Sequence, residues 1–417
     1  MDIAYFIAKR ISHKQHGSKS LSYLIIKITT IAVALSLATM ILSVSIVLGF
    51  RSSIIKKISG FVGHIIITKQ VSEQSYQLEP IPLDSTVIKE IKTTPGVRHV
   101  QVFAIKPGLI KHKNVIQGIV LKGIWKDFDW KTFSQYIVAG KPFKLNDSTV
   151  SNKMIISQEL AQMLRYKVGK HGLMFFIQNP PRFRKLKIQG LYKTGLVDFD
   201  KIYVLVDIRQ IQRLNDWTDS SGFMISGYEV FVKNFKDLDK VEQELKQRVA
   251  FGFHPGKPKL AVQSVKDLYP DIFDWLTLVD MNVVVILIVM IVVALINMTT
   301  GMLIIILEKS RFIGIMKSLG ARNKLIRKIF LYNSWFILRK GLIWGNVLGL
   351  GLALIQKIFH VIPLNSATYY VSYVPISLRL DYVVILNIGV VIITLIFMIL
   401  PTTVATKLDP VRVIKFE

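Results

Sequence analysis

Four long apolar stretches, and the way they are spaced, constrain this chain more than any other feature. They run over residues 24–48, 281–307, 341–363 and 380–404, and a polar segment of more than 200 residues separates the first from the second. A helix crosses a bilayer core about 30 Å thick with roughly 20 residues at 1.5 Å rise, so each stretch suffices for one crossing. The expected fold class is a polytopic α-helical membrane protein with four transmembrane helices. A large extracytoplasmic α/β domain is expected between helices 1 and 2. Hydrophobic residues make up 51% of the 417 residues and the mean hydropathy is +0.43, too apolar for an ordinary soluble chain.

The first stretch is too long for a signal-peptide core, and Gly49-Phe50-Arg51 follows it instead of a small-residue cleavage site, so it reads as an uncleaved anchor. Orientation follows from Lys and Arg in short flanking loops. Lys9, Arg10, Lys14 and Lys19 precede the first helix. Lys309, Arg311, Lys317, Arg322, Lys324, Arg327 and Lys328 follow the second, and Lys407, Arg412 and Lys415 follow the fourth. Both termini and the loop after helix 2 are therefore expected in the cytoplasm and the large domain outside, in a bacterial inner membrane. The domain itself carries 35 Lys and Arg against 21 Asp and Glu between residues 51 and 275. Long domains translocate largely regardless of charge, so this leaves the orientation intact. The total charge of +27 is dispersed and accompanies no nucleic-acid-binding motif, so no nucleic-acid partner is expected.

The outer segment reads as mixed α/β. Runs rich in Ile, Val, Phe and Tyr predict strands at 64–69, 99–105, 115–122, 173–178, 185–191, 202–206 and 228–233. Helical spacing predicts helices at 83–92, 157–165, 207–215 and 237–249. Helical patterns also continue past the first span over 51–58 and lead into the second over 265–280, so both helices are expected to extend outward as stalks. The expected divisions are a tail (1–23), helix 1 and stalk (24–50), the outer domain (51–275), helix 2 (276–307), a cytoplasmic segment (308–338), helices 3 and 4 (339–404) and a tail (405–417).

No motif that would carry catalysis is visible. Without cysteine there is no disulfide, thiolate nucleophile or Cys-ligated metal. Gly17-Ser18-Lys19-Ser20 lacks the order and preceding strand of a phosphate-binding loop, and the histidines lack metal-ligand spacing. The acid pairs Asp127/Asp129 and Asp198/Asp200 are common loop features. Within the spans, Asn297 is an amide in hydrocarbon and is expected to face another helix. Gly341, Gly345 and Gly349 recur every four residues, a spacing that permits close helix approach to a partner in this chain or another. Arg339 and Lys340 would be costly at the bilayer centre, so the embedded part is expected to start at Gly341. Residues 308–338 then form a basic, partly amphipathic surface segment, with Gly320-Ala321 as a turn between two short helices.

In this segment Glu308-Lys-Ser-Arg311-Phe-Ile-Gly314-Ile-Met-Lys-Ser-Leu319-Gly320-Ala321 resembles the Glu-x-x-Arg-Glu-Ile-Gly-Ile-x-Arg-x-Leu-Gly-Ala motif of the MacB/FtsX/LolC-LolE permease superfamily. Pro401-Thr-Thr-Val-Ala405-Thr-Lys-Leu-Asp409-Pro410 is similar to that family's closing pattern. Phe6-Ile-Ala-Lys-Arg10, Leu42-Ser-Val-Ser-Ile-Val-Leu-Gly49-Phe50, Gly60-Phe-Val-Gly-His64 and Tyr269-Pro-Asp-Ile-Phe273 resemble the lipoprotein-releasing LolC/LolE branch. The resemblance covers nearly the whole chain. Phe312 stands where the family has Glu, and Thr402 where it has Ala.

The resemblance implies a permease subunit that is not itself an enzyme, paired with a cytoplasmic ABC ATPase dimer that binds ATP and Mg, and with a second permease, identical or homologous. No cofactor is implied in this chain. It further implies that Glu308, Arg311, Gly314, Met316, Leu319, Gly320 and Ala321 couple to the ATPase. The cargo would be a lipoprotein released from the inner membrane for transfer to the outer membrane, and residues 178–185 stand where LolC-type members bind a periplasmic carrier. From architecture alone, Val44, Val47, Phe50, Met281 and Val285 are expected to line substrate entry between the outer halves of helices 1 and 2. Two other functions fit such a family. One is a MacB-like exporter of peptides or small molecules; the other is an FtsX-like signalling subunit controlling a cell-wall hydrolase.

Overall fold

The structure, a computed structural model, describes residues 3–13, 21–70, 78–113, 115–146, 149–217, 222–251 and 258–407. Lys14, His16, Lys19 and the string from Gly17 to Ser20 lie outside the described residues, as do Asp409, Pro410, Arg412 and Lys415. In chain order the helices are α1 (Ile3–His13), α2 (Leu21–Val62), α3 (Ser85–Thr93), α4 (Trp130–Phe133), α5 (Gln158–Met163), α6 (Val197–Asp200), α7 (Ile208–Leu214), α8 (Leu238–Leu245), α9 (Val265–Leu268), α10 (Pro270–Glu308), α11 (Ser310–Ser318), α12 (Asn323–Phe359), α13 (Ser366–Tyr369), α14 (Leu380–Phe397) and α15 (Ile399–Lys407). The chain divides into two compact units, one of residues 1–52, 275–363 and 373–417, the other of residues 53–274 and 364–372.

The first unit holds the apolar helices. Four are long and apolar enough to cross a membrane: Tyr23–Val62, Pro270–Glu308, Asn323–Phe359 and Leu380–Thr403. Val33, Leu37 and Ile41 of α2, Met298 and Met302 of α10, Phe330 and Ile337 of α12 and Val390 of α14 form one buried cluster. Pro270 starts α10 because its missing N–H is not needed in a first turn and its fixed φ suits a helix. The 42 residues of α2 and 39 of α10 span about 60 Å each, twice a bilayer core. Their continuation past the spans, expected from the helical pattern, is present.

Two expectations change here. The second of the two short surface helices does not end before the third span; it is the first part of α12, which runs unbroken for 37 residues. Between Asn323 and Leu338 there is no Gly or Pro, and the buried face of Ile326, Ile329, Phe330, Ile337 and Leu338 leads directly into Gly341. Residue 338 is therefore no element boundary. The fourth span is also interrupted. Pro401 cannot donate a helical hydrogen bond and its ring crowds the carbonyl of Phe397, four residues earlier, where α14 ends. The N-terminal tail, for its part, contains a helix: Ala4 and Ala8 of α1 are buried against Ile329 and Phe336 of α12. Tyr5 meets the rings of Tyr332 and Phe336 edge-on at 5.6 Å.

The second unit is built on a ten-stranded mixed sheet. The strands are β1 (Ile65–Lys69), β2 (Ile81–Pro82), β3 (Val97–His112), β4 (Val115–Ile124), β5 (Ile137–Gly140), β6 (Lys153–Ser157), β7 (His171–Phe176), β8 (Arg182–Tyr192), β9 (Tyr203–Asp207), β10 (Met224–Ile225), β11 (Gly227–Val232) and β12 (Leu260–Ser264). The order is β12-β1-β11-β3-β4-β9-β6-β8-β5, with β7 bridging β3 and β8, and β2 pairs with β10 separately. Pairs β4–β9 and β6–β8 are parallel and the other pairs of the large sheet antiparallel. All seven predicted strands and all four predicted helices of the domain are present, β3 running on to His112, well past its predicted end at Ile105.

Three of the four paired acids turn out to be structural. Asp129 caps α4 by accepting from Thr132 N–H, and Asp127 accepts from Val102 N–H at 2.8 Å. The Asp200 carboxylate accepts from the amide and hydroxyl of Thr194 and from Gly195 N–H.

Candidate functional site

The segment after α10 is shaped by one chain reversal. Gly320 has φ +85°, a left-handed conformation that side chains disfavour. Its N–H donates to Lys317 O at 3.0 Å, and Ala321 N–H reaches back to Met316 O at 2.9 Å. These two bonds close the end of α11 as a Schellman cap, which explains why Gly follows Leu319. The stop leaves Leu319 79% exposed. One and two turns earlier on the same face stand Ile315, 48% exposed, and Arg311, also exposed and with no ion-pair partner among the described residues. The opposite face is turned inward: Ile313 and Gly314 are buried, and Met316 packs beside Ala4, Ala8 and Ile329.

The predicted coupling residues therefore separate by position. Arg311 and Leu319, with Ile315, which the motif reading passed over, form an outward stripe at i, i+4 and i+8. Gly314 and Met316 support α11 from within, so they are removed from any docking face. Gly320 and Ala321 build the cap, and Glu308 pairs with Lys309 at 3.5 Å at the end of α10.

The glycine spacing in α12 meets a partner in this chain. A Cβ on Gly341 would lie 2.7 Å from Val33 Cγ1, one on Gly345 2.9 Å from Ala34 O, and one on Gly349 3.0 Å from Ala38 Cα. The three glycines form a close parallel seam with α2, where Ala34 and Ala38 are the matching small residues. Asn297, in contrast, is half-buried and has no side-chain hydrogen-bond partner among the described residues. The interhelical amide contact is made elsewhere: Asn346 of α12 and Asn387 of α14 each donate to the other's carbonyl oxygen, at 2.8 and 3.0 Å. Each spends its second N–H on the carbonyl four residues earlier, Leu342 and Val383.

The proposed entry residues are split in the same way. Met281 and Val285 are 60% and 58% exposed, whereas Val47 and Phe50 are buried and Val44 half-buried. The cover over α2 is local. Phe50 meets Trp275 edge-on at 6.2 Å, Ser377 N–H donates to Ser45 O, and the Pro375 carbonyl sits where a Cβ of Gly49 would be. Arg51 and Asp280 form an ion pair at 3.0 Å beside them. An opening that used Val47 and Phe50 would have to part these contacts; of the five entry residues, only Met281 and Val285 on α10 stand on an exposed apolar face.

In the second unit, the last turn of α2 is locked into the sheet. Phe61 enters a cluster with Phe133, Tyr192, Phe199 and Tyr203 at centroid distances of 5.1 to 6.2 Å. Lys122 of β4 donates to Phe61 O and to Glu229 of β11 at 2.6 Å, and Gln101 completes the carboxylate. Residues 178–185 form the turn and first strand residues of the β7–β8 hairpin. Arg182 grips both Asp216 oxygens, at 2.8 and 2.6 Å, and Gln178 donates to Leu214 O, leaving Ile177 and Phe183 exposed.

A family profile described as MacB-like periplasmic core domain matches residues 28–248, and one described as FtsX-like permease C-terminal matches residues 284–410. The lipoprotein-releasing system transmembrane protein LolE of Haemophilus influenzae is 22% identical over 99% of both chains. LolC of Buchnera aphidicola is 20% identical over 94% of both, and the uncharacterized ABC transporter permease YknZ of Bacillus subtilis 24% over 94% of both. Among solved structures, the extracellular domain of YknZ superposes with a TM-score of 0.33 at 16% identity, covering 48% of this chain and 99% of that one. The periplasmic region of MacB from Actinobacillus actinomycetemcomitans gives a TM-score of 0.32 at 12% identity, covering 52% and 95%.

Proposed function

The chain belongs to the family of MacB- and FtsX-like ABC transporter permeases, and on that footing we propose that it releases lipoproteins from the inner membrane for transfer to the outer membrane. The observation that carries this reading is end-to-end similarity to LolE and LolC, which are named as lipoprotein-releasing proteins. As a permease subunit the chain is not itself a catalyst; in this reading ATP and Mg are bound by a separate cytoplasmic ATPase dimer. The outward stripe of Arg311, Ile315 and Leu319 docks there, since two apolar side chains left uncovered by their own chain suit a groove on another subunit. A second permease, identical or homologous, completes the complex.

Acyl anchors explain why such a step needs an external energy source. Each buried methylene holds its chain in the bilayer by about 0.8 kcal/mol, so an anchor of two or three chains does not leave unaided. ATP-driven closure of the ATPases pushes α11 and α12. The continuous helices α2 and α10 carry the movement outward to the extracytoplasmic domain, a rigid-body change biased by nucleotide. Cargo enters along the exposed face of α10 at Met281 and Val285 once the contacts of Phe50 and Arg51 part. The exposed end of the β7–β8 hairpin receives a periplasmic carrier.

Export of a peptide or small molecule is the second reading, kept because the chain is comparably similar to YknZ, an ABC transporter permease whose name specifies no lipoprotein. Depletion of the protein distinguishes the two. Outer-membrane-destined lipoproteins should accumulate in the inner-membrane fraction while an unlipidated periplasmic protein fractionates normally. Normal lipoprotein sorting with failed export, or with failed cell separation, would reject lipoprotein release.

A further inference from the structure

On the face of the α2–α12 seam, the two helices leave a groove of about 490 Å³ whose walls include Tyr23, Lys27, Ile31, Lys340, Trp344 and Leu348. Its character changes along its length. Lys27 lies one turn before Thr30, and Thr30 O is 3.3 Å from where a Cβ of Gly341 would be, so Lys27 and Lys340 reach the groove at about the same level. Beyond them the walls are apolar for two turns of each helix, about 12 Å, apart from Thr30, whose hydroxyl is spent on Ile26 O of its own helix. Neither α2 nor α12 contains an Asp or Glu anywhere in its length. Neither lysine has an ion-pair or hydrogen-bond partner among the described residues. Two cations thus stand side by side at one end of an apolar groove, and the helices that present them hold no countercharge.

From this juxtaposition we propose that the groove binds one anionic phospholipid, its phosphate held by Lys27 and Lys340 and one acyl chain lying along Ile31, Trp344 and Leu348. A lysine near the end of a membrane helix extends its stem along apolar surface and places its ammonium at the headgroup level, where anionic lipid supplies the missing charge. Tyr23 and Trp344, 58% and 60% exposed, are the side-chain types that favour the membrane–water boundary. The groove follows the helix axes, and its apolar length approaches one leaflet, about 15 Å. A protein partner would need acidic residues at lipid depth; a lipid carries its charge at the right level already. The occupant belongs to the leaflet nearest the N-terminal ends of α2 and α12, whichever cargo the permease moves.

The test uses the full-length protein, with any subunits that co-purify, reconstituted in nanodiscs of phosphatidylethanolamine containing a minor fraction of phosphatidylglycerol. Retained lipid is counted by native mass spectrometry after mild extraction. The parent should retain phosphatidylglycerol in preference to phosphatidylethanolamine. Lys27→Gln with Lys340→Gln should reduce that preference by roughly tenfold to thirtyfold, as about 1 kcal/mol per lysine predicts, while the double Arg variant keeps it. Equal retention by the parent and the Gln variant would overturn the proposal. So would displacement by inorganic phosphate, or a changed subunit stoichiometry with an unchanged lipid count. Should the Gln variant fail to fold, the parent decides: its preference must fall as salt is raised, and a preference indifferent to salt rejects the site.

Discussion

Lys122 and Glu229 form an ion pair at 2.6 Å whose side chains are only 3% and 1% exposed, and the same ammonium donates to the carbonyl of Phe61 in the last turn of α2. Taking two charges out of water is expensive, and the pair is tolerable because every member is also hydrogen-bonded. Lys122→Met should therefore destabilise the protein by about 3–5 kcal/mol by leaving a buried carboxylate with only Gln101. Lys122→Met combined with Glu229→Leu should recover much of that loss. Thermal unfolding of the purified full-length protein measures both, and a single variant as stable as the parent would refute the arrangement.

Leu319→Asp and Ile315→Asp should abolish co-purification of the ATPase while leaving the permease's own melting temperature nearly unchanged, because both side chains are exposed. Gly314→Leu should do the reverse, lowering the melting temperature because Gly314 is buried within the chain. Intact ATPase association in both Asp variants would remove the outward stripe from the docking face.

Gly345→Val should destabilise strongly, since even a Cβ there lies 2.9 Å from both Ala34 O and Leu37 Cβ. Gly351, on the same helix, has open space around the corresponding position. Gly351→Ala should leave stability unchanged or raise it by up to about 1 kcal/mol through helix propensity. Equal effects of the two substitutions on the melting temperature would contradict the seam.

Orientation is read with single cysteines, for which the native chain provides a cysteine-free background. Cys in place of Lys201 should react with a membrane-impermeant reagent in cells with a permeabilised outer membrane, and Cys in place of Lys324 only after lysis. Both positions are exposed, so access is set by the membrane alone. Labelling of both from one side would reverse the proposed topology.

Acid should act through His64. Its Nδ1 accepts from Val232 N–H, it packs against Phe231 and Phe235, and burial, with Arg98 nearby, lowers its pKa to about 4. The unfolded chain binds that proton near pH 6.5, so the neutral ring's contribution is present above pH 6.5 and lost as pH falls towards 4, on the order of 3 kcal/mol. Asp127 works in the opposite sense. Burial raises its pKa to about 6, so its contribution is lost as pH rises from about 4 to 6. His64→Phe should leave only the second effect, making the protein relatively more stable at pH 5 than at pH 7.5. Melting temperatures across pH 4.5–7.5 that match the parent's would exclude His64 as the acid-sensitive group.

Much of this architecture was readable from residue pattern, and what escaped did so for identifiable reasons. The spans and the strands rich in Ile and Val announce themselves by composition. β6 merges with the helix signal that begins at Ser157, and β5, Ile-Val-Ala-Gly, is too short to show alternation. α1 has the look of a basic tail because small residues, Ala4 and Ala8, make its contact instead of large apolar ones. Asn346 and Asn387 carry no sequence signal because amide pairing depends on which faces meet, which single-chain spacing does not encode; Asn297 is an equivalent residue in the sequence but not in the fold. Glycine spacing revealed a seam but not its partner. The motif residues of α11 were identified together, yet only the fold separates the side that supports from the side that is offered.

The unbroken course of α12 makes its two halves share one phase. No bulge or hinge lies between Asn323, beside the Leu319 cap, and Gly349, at the far end of the seam, so nothing can absorb a change of twist between them. A single inserted residue in this stretch would turn everything beyond it by about 100° and advance it by 1.5 Å, bringing a different column of side chains opposite Ala34 and Ala38. The face of Ile329 and Phe336 that receives α1 and the seam at Gly341–Gly349 are thereby indexed to each other like two cams on one shaft, and the angular position of one dictates that of the other.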